Sequence, residues 1–125
     1  MEIFKEFRFE AAHRLEGLPE GHPCGRLHGH SYRVRVFVRG LPDPKSGWVR
    51  DFADIKAAAA PVFARLDHAF LNEVEGLGPS TCEHIAVYLW RQLRPRISGL
   101  SAVEVWETAT AGAIYRGEDE PGAVG

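Results

Sequence analysis

His28-Gly29-His30-Ser31-Tyr32-Arg33-Val34-Arg35-Val36-Phe37-Val38-Arg39 alternates between two kinds of side chain. Tyr32, Val34, Val36 and Val38 share one parity, and Arg33, Arg35 and Arg39 share the other, as in a strand with one buried and one solvated face. His28 and His30 have the parity of the valines, so two imidazoles leave the apolar face roughly 7 Å apart along the chain. Gly29 between them is expected to leave room for an ion. The same period runs upstream, where Ile3, Phe7, Phe9, Ala11 and His13 have odd parity and Glu6, Arg8 and Glu10 even parity. His13 therefore ends the apolar face of another strand.

Outward from these two strands, Gly17 to Gly25 and Gly40 to Gly47 are rich in Gly and Pro and read as loops. Asp51 or Asp54 is placed to cap a helix whose inward face is Ile55, Ala58 or Ala59, Val62, Phe63 and Leu66. Pro61 is expected to kink or restart it. Ser80 to Arg94 reads as a second helix, with Ser80 and Glu83 as a capping box, an Ile85, Leu89, Leu93 stripe, and Pro95 beyond its end. Strands follow at Ala102 to Thr108 and Ala113 to Arg116. The order ββααββ implies an α+β domain over residues 1–117, a four-stranded antiparallel sheet with two helices on one face. The acidic, Gly- and Pro-containing segment 118–125 is expected to be a flexible tail.

The chain has 125 residues, enough for one core but not for a two-domain cleft, so an active site is expected to borrow from a neighbouring subunit. Apolar residues make up 45% and charged residues 26%, with no apolar run long enough to span a membrane and no secretory leader pattern at the N-terminus. A cytoplasmic protein is expected. A formal charge of −2 gives no reason to expect nucleic acid as a partner. The two cysteines, Cys24 and Cys82, are expected to be free thiols.

Three neutral imidazoles with an open fourth position make a catalytic zinc site, whereas four closed ligands make a structural one. His13, His28 and His30 are the candidate ligands for Zn2+, and Cys24 is either the fourth ligand or a thiolate near the ion. His22, on a loop, and His84, near a helix start, have no matching parity and are set aside. Cys82 reads as a small buried hydrophobe. Asp67-His68 is an ordinary solvated pair or, beside Cys24, a proton relay in which the carboxylate fixes the tautomer. Glu107 has the parity of Val103 and Val105, so a carboxylate sits on an apolar face. There it is half of an ion pair or an acceptor for the N–H groups of a flat heterocycle.

Five segments in order carry a resemblance: Phe9 to Leu15, Cys24 to His30, Trp48 to Phe52, Leu66-Asp67-His68 and Trp106 to Gly112. Together they resemble the 6-pyruvoyl-tetrahydropterin synthase superfamily, and more closely its bacterial carboxy-forming branch in queuosine biosynthesis. The four-residue step from Cys24 to His28 is the spacing of that branch. The resemblance implies a tunnelling fold assembled as a homohexamer of two trimers, with active sites between subunits. It implies zinc on His13, His28 and His30, Cys24 as the proton acceptor, Asp67 and His68 as the relay, and Glu107 with Thr108 as the pterin anchor. It further implies a lyase that converts 7,8-dihydroneopterin triphosphate to 6-carboxy-5,6,7,8-tetrahydropterin, releasing acetaldehyde and triphosphate. The segment Pro79-Ser80-Thr81-Cys82-Glu83-His84 departs from the Pro-Thr-x-Glu-Asn type of relatives.

Overall fold

A computed structural model describes residues 1–121. Strand β1 (Glu2–His13) pairs antiparallel with β2 (His28–Arg39), which pairs with β4 (Leu100–Trp106), which pairs with β5 (Gly112–Tyr115). A two-residue strand β3 (Ala69–Phe70) adds to the free edge of β1 in parallel, giving the order β3-β1-β2-β4-β5. The sheet is thus five-stranded and mixed, a correction to the four antiparallel strands read from the sequence. Two residues carry no period, so β3 has no pattern to be read by. It is held by what precedes it, since Glu10 N–H donates to Asp67 Oδ1 at 3.0 Å and His68 N–H donates to the Glu10 carbonyl.

Helices α1 (Phe52–Leu66) and α2 (Cys82–Leu93) cover one face, α1 over β1 and α2 over β4 and β5. Against them lie Phe9, Tyr32, Val34, Val36, Val103 and Val105, all buried. Phe9 stacks on Tyr32 at 4.8 Å between ring centroids and Phe7 on Phe63 at 4.5 Å. Such pairs contribute about 0.5–1.5 kcal/mol each beyond area burial. The opposite face is wet: Arg33 and Arg35 both approach Glu6, and the Arg33 guanidinium lies over the Trp106 ring.

Asp51 is the cap of α1, its carboxylate accepting from Ala53 N–H at 2.9 Å, while Asp54 sits in the first turn. Pro61 does not restart the helix, which is continuous through it. Both Pro61 and Ala57, whose carbonyl loses its i+4 donor, are exposed, on the side of the helix that solvent reaches. The cap of α2 is Thr81, whose hydroxyl accepts from His84 N–H at 3.2 Å, and not Ser80. Ser80 is drawn inward instead, 1% exposed, because its hydroxyl and carbonyl have partners at the end of β1. Cys82 is buried with its thiol donating to the Val105 carbonyl, and burial pushes that thiol up to about 11. Of segment 118–125, Glu120 meets Arg91 and Tyr115, and residues 122–125 lie outside the described residues.

The β4–β5 hairpin closes at Gly112. A Cβ there would stand 2.3 Å from the Val105 carbonyl oxygen, inside any tolerable contact. Gly112→Ala is therefore expected to lower stability by roughly 1–3 kcal/mol in a urea titration, more than a surface Gly→Ala change would.

Candidate metal centre and active site

The register of β1 on β2 sets His13 directly opposite His28, and Ala11 opposite His30. Three imidazoles from two strands consequently share the helix-facing side at one end of the sheet, where His13 is 1% exposed. Their ligand atoms all lie within 4.8 Å of one another. His13 Nδ1 lies 2.7 Å from the Ser80 carbonyl oxygen, and His28 Nδ1 2.7 Å from the Arg26 carbonyl oxygen. A carbonyl only accepts, so each ring donates from Nδ1 and, when neutral, carries a bare lone pair at Nε2. These two Nε2 atoms face each other at 3.0 Å.

Two facing lone pairs repel, and a cation shared between them satisfies both. Tetrahedral zinc with bonds of about 2.0–2.1 Å holds its nitrogens about 3.4 Å apart, close to the separation here. Burial lowers His30 below the ordinary histidine range, with Glu107 acting in the opposite sense, so the ring stays in its ligand form at neutral pH. The donor set fits a divalent metal, and its Nδ1–carbonyl bonds are the outer support such ligands usually have. Gly29 does not make the room. Adjacent strand residues face opposite sides, and a Cβ at Gly29 would point toward the Ala11 carbonyl oxygen at 3.4 Å.

Glu107 lies one residue beyond β4, and its N–H donates to the Ala111 carbonyl across the hairpin turn. Its Oε1 is 3.7 Å from Nε2 of both His13 and His30, too long for a hydrogen bond but close enough for charge attraction. Glu107 also lines a cleft of about 430 Å³ with Tyr32, Arg33, Trp106, Thr108 and Ala109. It therefore stands at the junction of the imidazoles and a space large enough for a flat ring.

Cys24 lies on a 3-10 turn, Pro23–Gly25, half-buried, with its N–H donating to His22 Nδ1 and its carbonyl accepting from Leu15 N–H. It is not in the group of converging ligand atoms, which among the described residues consists of the three histidines. Asp67 and His68 do pair, Oδ2 to Nδ1 at 3.1 Å. The bond from Glu10 N–H holds the Asp67 carboxyl below its usual range. His68 has φ +57, which for a side chain with a Cβ is strained, and its ring is 80% exposed beside a cleft shared with Ala12, Gly29 and His30. The carbonyls of Ser80 and Arg26 have no signature in sequence, because every residue has one.

A sequence profile described as 6-pyruvoyl tetrahydropterin synthase matches residues 2–118, and the chain belongs to that family. Over 119 residues it is 44% identical to a 6-carboxy-5,6,7,8-tetrahydropterin synthase of Synechocystis, covering 90% of this chain and 91% of that one. A human 6-pyruvoyl tetrahydrobiopterin synthase is 33% identical over 133 residues, with 94% and 92% covered. Among solved structures, a Caenorhabditis elegans 6-pyruvoyl tetrahydropterin synthase superposes with a TM-score of 0.86 at 32% identity, covering 94% of this chain and 95% of that one. No helix among the described residues is long and apolar enough to cross a membrane.

The lowered His30 value makes a pH prediction. A histidine held neutral in the fold stabilises it fully above about pH 6.5, and that contribution is lost as pH falls through the lowered folded value. Urea titrations of metal-free protein between pH 7.5 and 5 should show stability falling on the acid side. His30→Gln should flatten that limb.

Proposed function

We propose that the chain is a zinc-dependent lyase that converts 7,8-dihydroneopterin triphosphate to 6-carboxy-5,6,7,8-tetrahydropterin in queuosine biosynthesis, releasing acetaldehyde and triphosphate. The observation that carries this reading is the juxtaposition of three inward imidazoles with the Glu107 carboxylate at the mouth of a ring-sized cleft. The greater identity to the Synechocystis carboxy-forming enzyme than to the human pyruvoyl-forming one supports the carboxy branch. So does the spacing from Cys24 to His28.

His13, His28 and His30 would hold the ion. A divalent metal held there would supply Lewis acidity to the substrate side chain and so acidify its C–H groups. Cys24, as thiolate, takes the proton. His68, with Asp67 fixing its Nδ1, returns protons from Nε2 as the side chain tautomerises and triphosphate leaves, after which a water adds to the carbonyl carbon next to the ring and the carbon–carbon bond breaks to carboxylate and acetaldehyde. Glu107 accepts from the N–H groups on the pyrimidine edge of the pterin, with Thr108 beside it in the cleft.

Assembly belongs to the same proposal. The His68 ring is exposed, and Phe4, Trp48, Phe52 and Ile114 leave large apolar surfaces uncovered. A homohexamer of two trimers in the cytoplasm would cover such surfaces and complete each site with a neighbour's residues. A non-catalytic module with Cys24 as a fourth ligand is disfavoured, because the thiol is outside the converging group.

Incubation of pure protein with dihydroneopterin triphosphate should give carboxy-tetrahydropterin and acetaldehyde. Pyruvoyl-tetrahydropterin without acetaldehyde would assign the other branch, and no turnover with intact zinc would leave a binding protein. Cys24→Ala should keep one metal per chain by elemental analysis and lose turnover at least ~100-fold; loss of the metal would make Cys24 a ligand. His68→Gly separates strain from chemistry. Relief of the positive φ should leave stability unchanged or raise it by about 1 kcal/mol, while turnover falls.

A further inference from the structure

Where β1 ends, one residue past His13, the backbone of Arg14 is held by a side chain. Arg14 N–H donates to Asn72 Oδ1 at 3.0 Å, and Asn72 Nδ2 donates to the Arg14 carbonyl at 2.8 Å. A carboxamide that returns both bonds acts as one more rung of the β1–β3 pairing, which as main chain stops at Ala12 and Phe70. The Ser80 hydroxyl lies 3.3 Å from both the Arg14 carbonyl oxygen and Asn72 Oδ1, placed to donate to either. The Ser80 carbonyl in turn accepts from His13 Nδ1 at 2.7 Å.

The ligand His13 is thus gripped twice. Asn72 fixes the main chain beside it, and Ser80 fixes its ring. The Ser80 hydroxyl ties the two grips together, so that ring and backbone cannot shift independently. Neither side chain reaches the metal position, and each acts through His13.

We infer that Asn72 and Ser80 are positioning residues of the metal centre: the Ser80 carbonyl holds His13 in the Nδ1–H tautomer with Nε2 turned toward His28 and His30, and the Asn72 carboxamide and Ser80 hydroxyl hold that carbonyl in place against the β1 backbone. The inference rests on the reading of the three imidazoles as a divalent-metal site. It explains why Ser80 is buried as a polar residue in the segment where the expected capping role is taken by Thr81. A clamp of this kind changes the metal affinity of a preformed site, whereas a loop anchor changes only stability. Loss of a group that orients a metal-ligating histidine from behind weakens metal binding by about 10- to 100-fold.

The test uses full-length wild type, Asn72→Ala and Ser80→Ala, the last nearly isosteric and removing only the hydroxyl. Cobalt(II) affinity is measured by chelator competition, thermal midpoints are recorded on the metal-free proteins, and the His13 tautomer is read by 15N-histidine NMR without metal. Weakening of cobalt binding by about tenfold or more in Asn72→Ala, less in Ser80→Ala, with a mixed His13 tautomer in both, is the expected result. Lowered midpoints with unchanged cobalt affinity and an unchanged tautomer would overturn it, leaving Asn72 a loop anchor. Wild type that binds no cobalt would sink the metal reading instead, and the metal-free spectra would still decide whether the clamp holds His13.

Discussion

The register of β1 on β2 is the constraint on which the rest depends. With His13 opposite His28, residues of one parity on each strand form both the apolar face under the helices and the imidazole cluster at its end. A one-residue slip of either strand would turn that strand's own set to water, Phe9 and Ala11 with His13 or Tyr32, Val34 and Val36 with His28 and His30, and would break up the imidazole cluster. Core and site are therefore specified by the same pairing, and the burial of large side chains enforces the geometry of the ligands. Each buried Val or Phe contributes on the order of 1.5–3 kcal/mol, so a slipped register that exposes several of them cannot compete.

That economy has a cost at the site. Three imidazoles at the end of an apolar face, His13 buried and His28 and His30 half-buried, are polar groups drawn from water, and a buried one left unpaired would cost about 1–3 kcal/mol. His13 and His28 meet the cost with Nδ1 bonds to carbonyls, which at the same time aim Nε2 inward. What remains is a pair of opposed lone pairs at 3.0 Å and a carboxylate 3.7 Å away. The arrangement is complementary to positive charge. Glu107 shapes it from the far side and faces the ring-sized cleft as well.

Much of this was legible in the chain because a period of two survives tertiary folding. The alternation through His30 and Val38 gave β2 its observed limits, and parity joined His13 to His28 and His30. Glu107 kept the parity of Val105 although the strand stops before it, since the hairpin turn continues the pleat. What was not legible depended on groups every residue carries or on elements too short to have a period. The carbonyls of Ser80 and Arg26, and the strand Ala69–Phe70, are of that kind. Ser80 departs from its pattern for a related reason: Ser-x-x-Glu is a sound capping pattern, but the hydroxyl faces Asn72 and the Arg14 carbonyl, and Thr81 takes the helix end. Gly29 makes no room for an ion because adjacent residues in a strand face opposite sides.

Antiparallel geometry brings the scattered motifs to one end of the sheet. The end of β1, the start of β2 and the end of β4 must lie at the same end of the sheet, because each strand reverses its neighbour. The stretch leaving α1 returns to that end too, held there by Glu10 on both the Asp67 carboxylate and the His68 N–H. Segments near residues 13, 24, 28, 67, 80 and 107 are consequently neighbours, although up to about ninety residues separate them along the chain. The loops at the opposite end, 40–50 and 95–99, hold none of the groups assigned here to the metal centre or its support. A domain this small cannot surround a substrate, but it can gather every reactive group at one rim. In the proposed assembly a neighbour's surface would complete a rim that holds an exposed His68 and a half-buried Cys24, so the assembly of subunits and the chemistry are to be tested together.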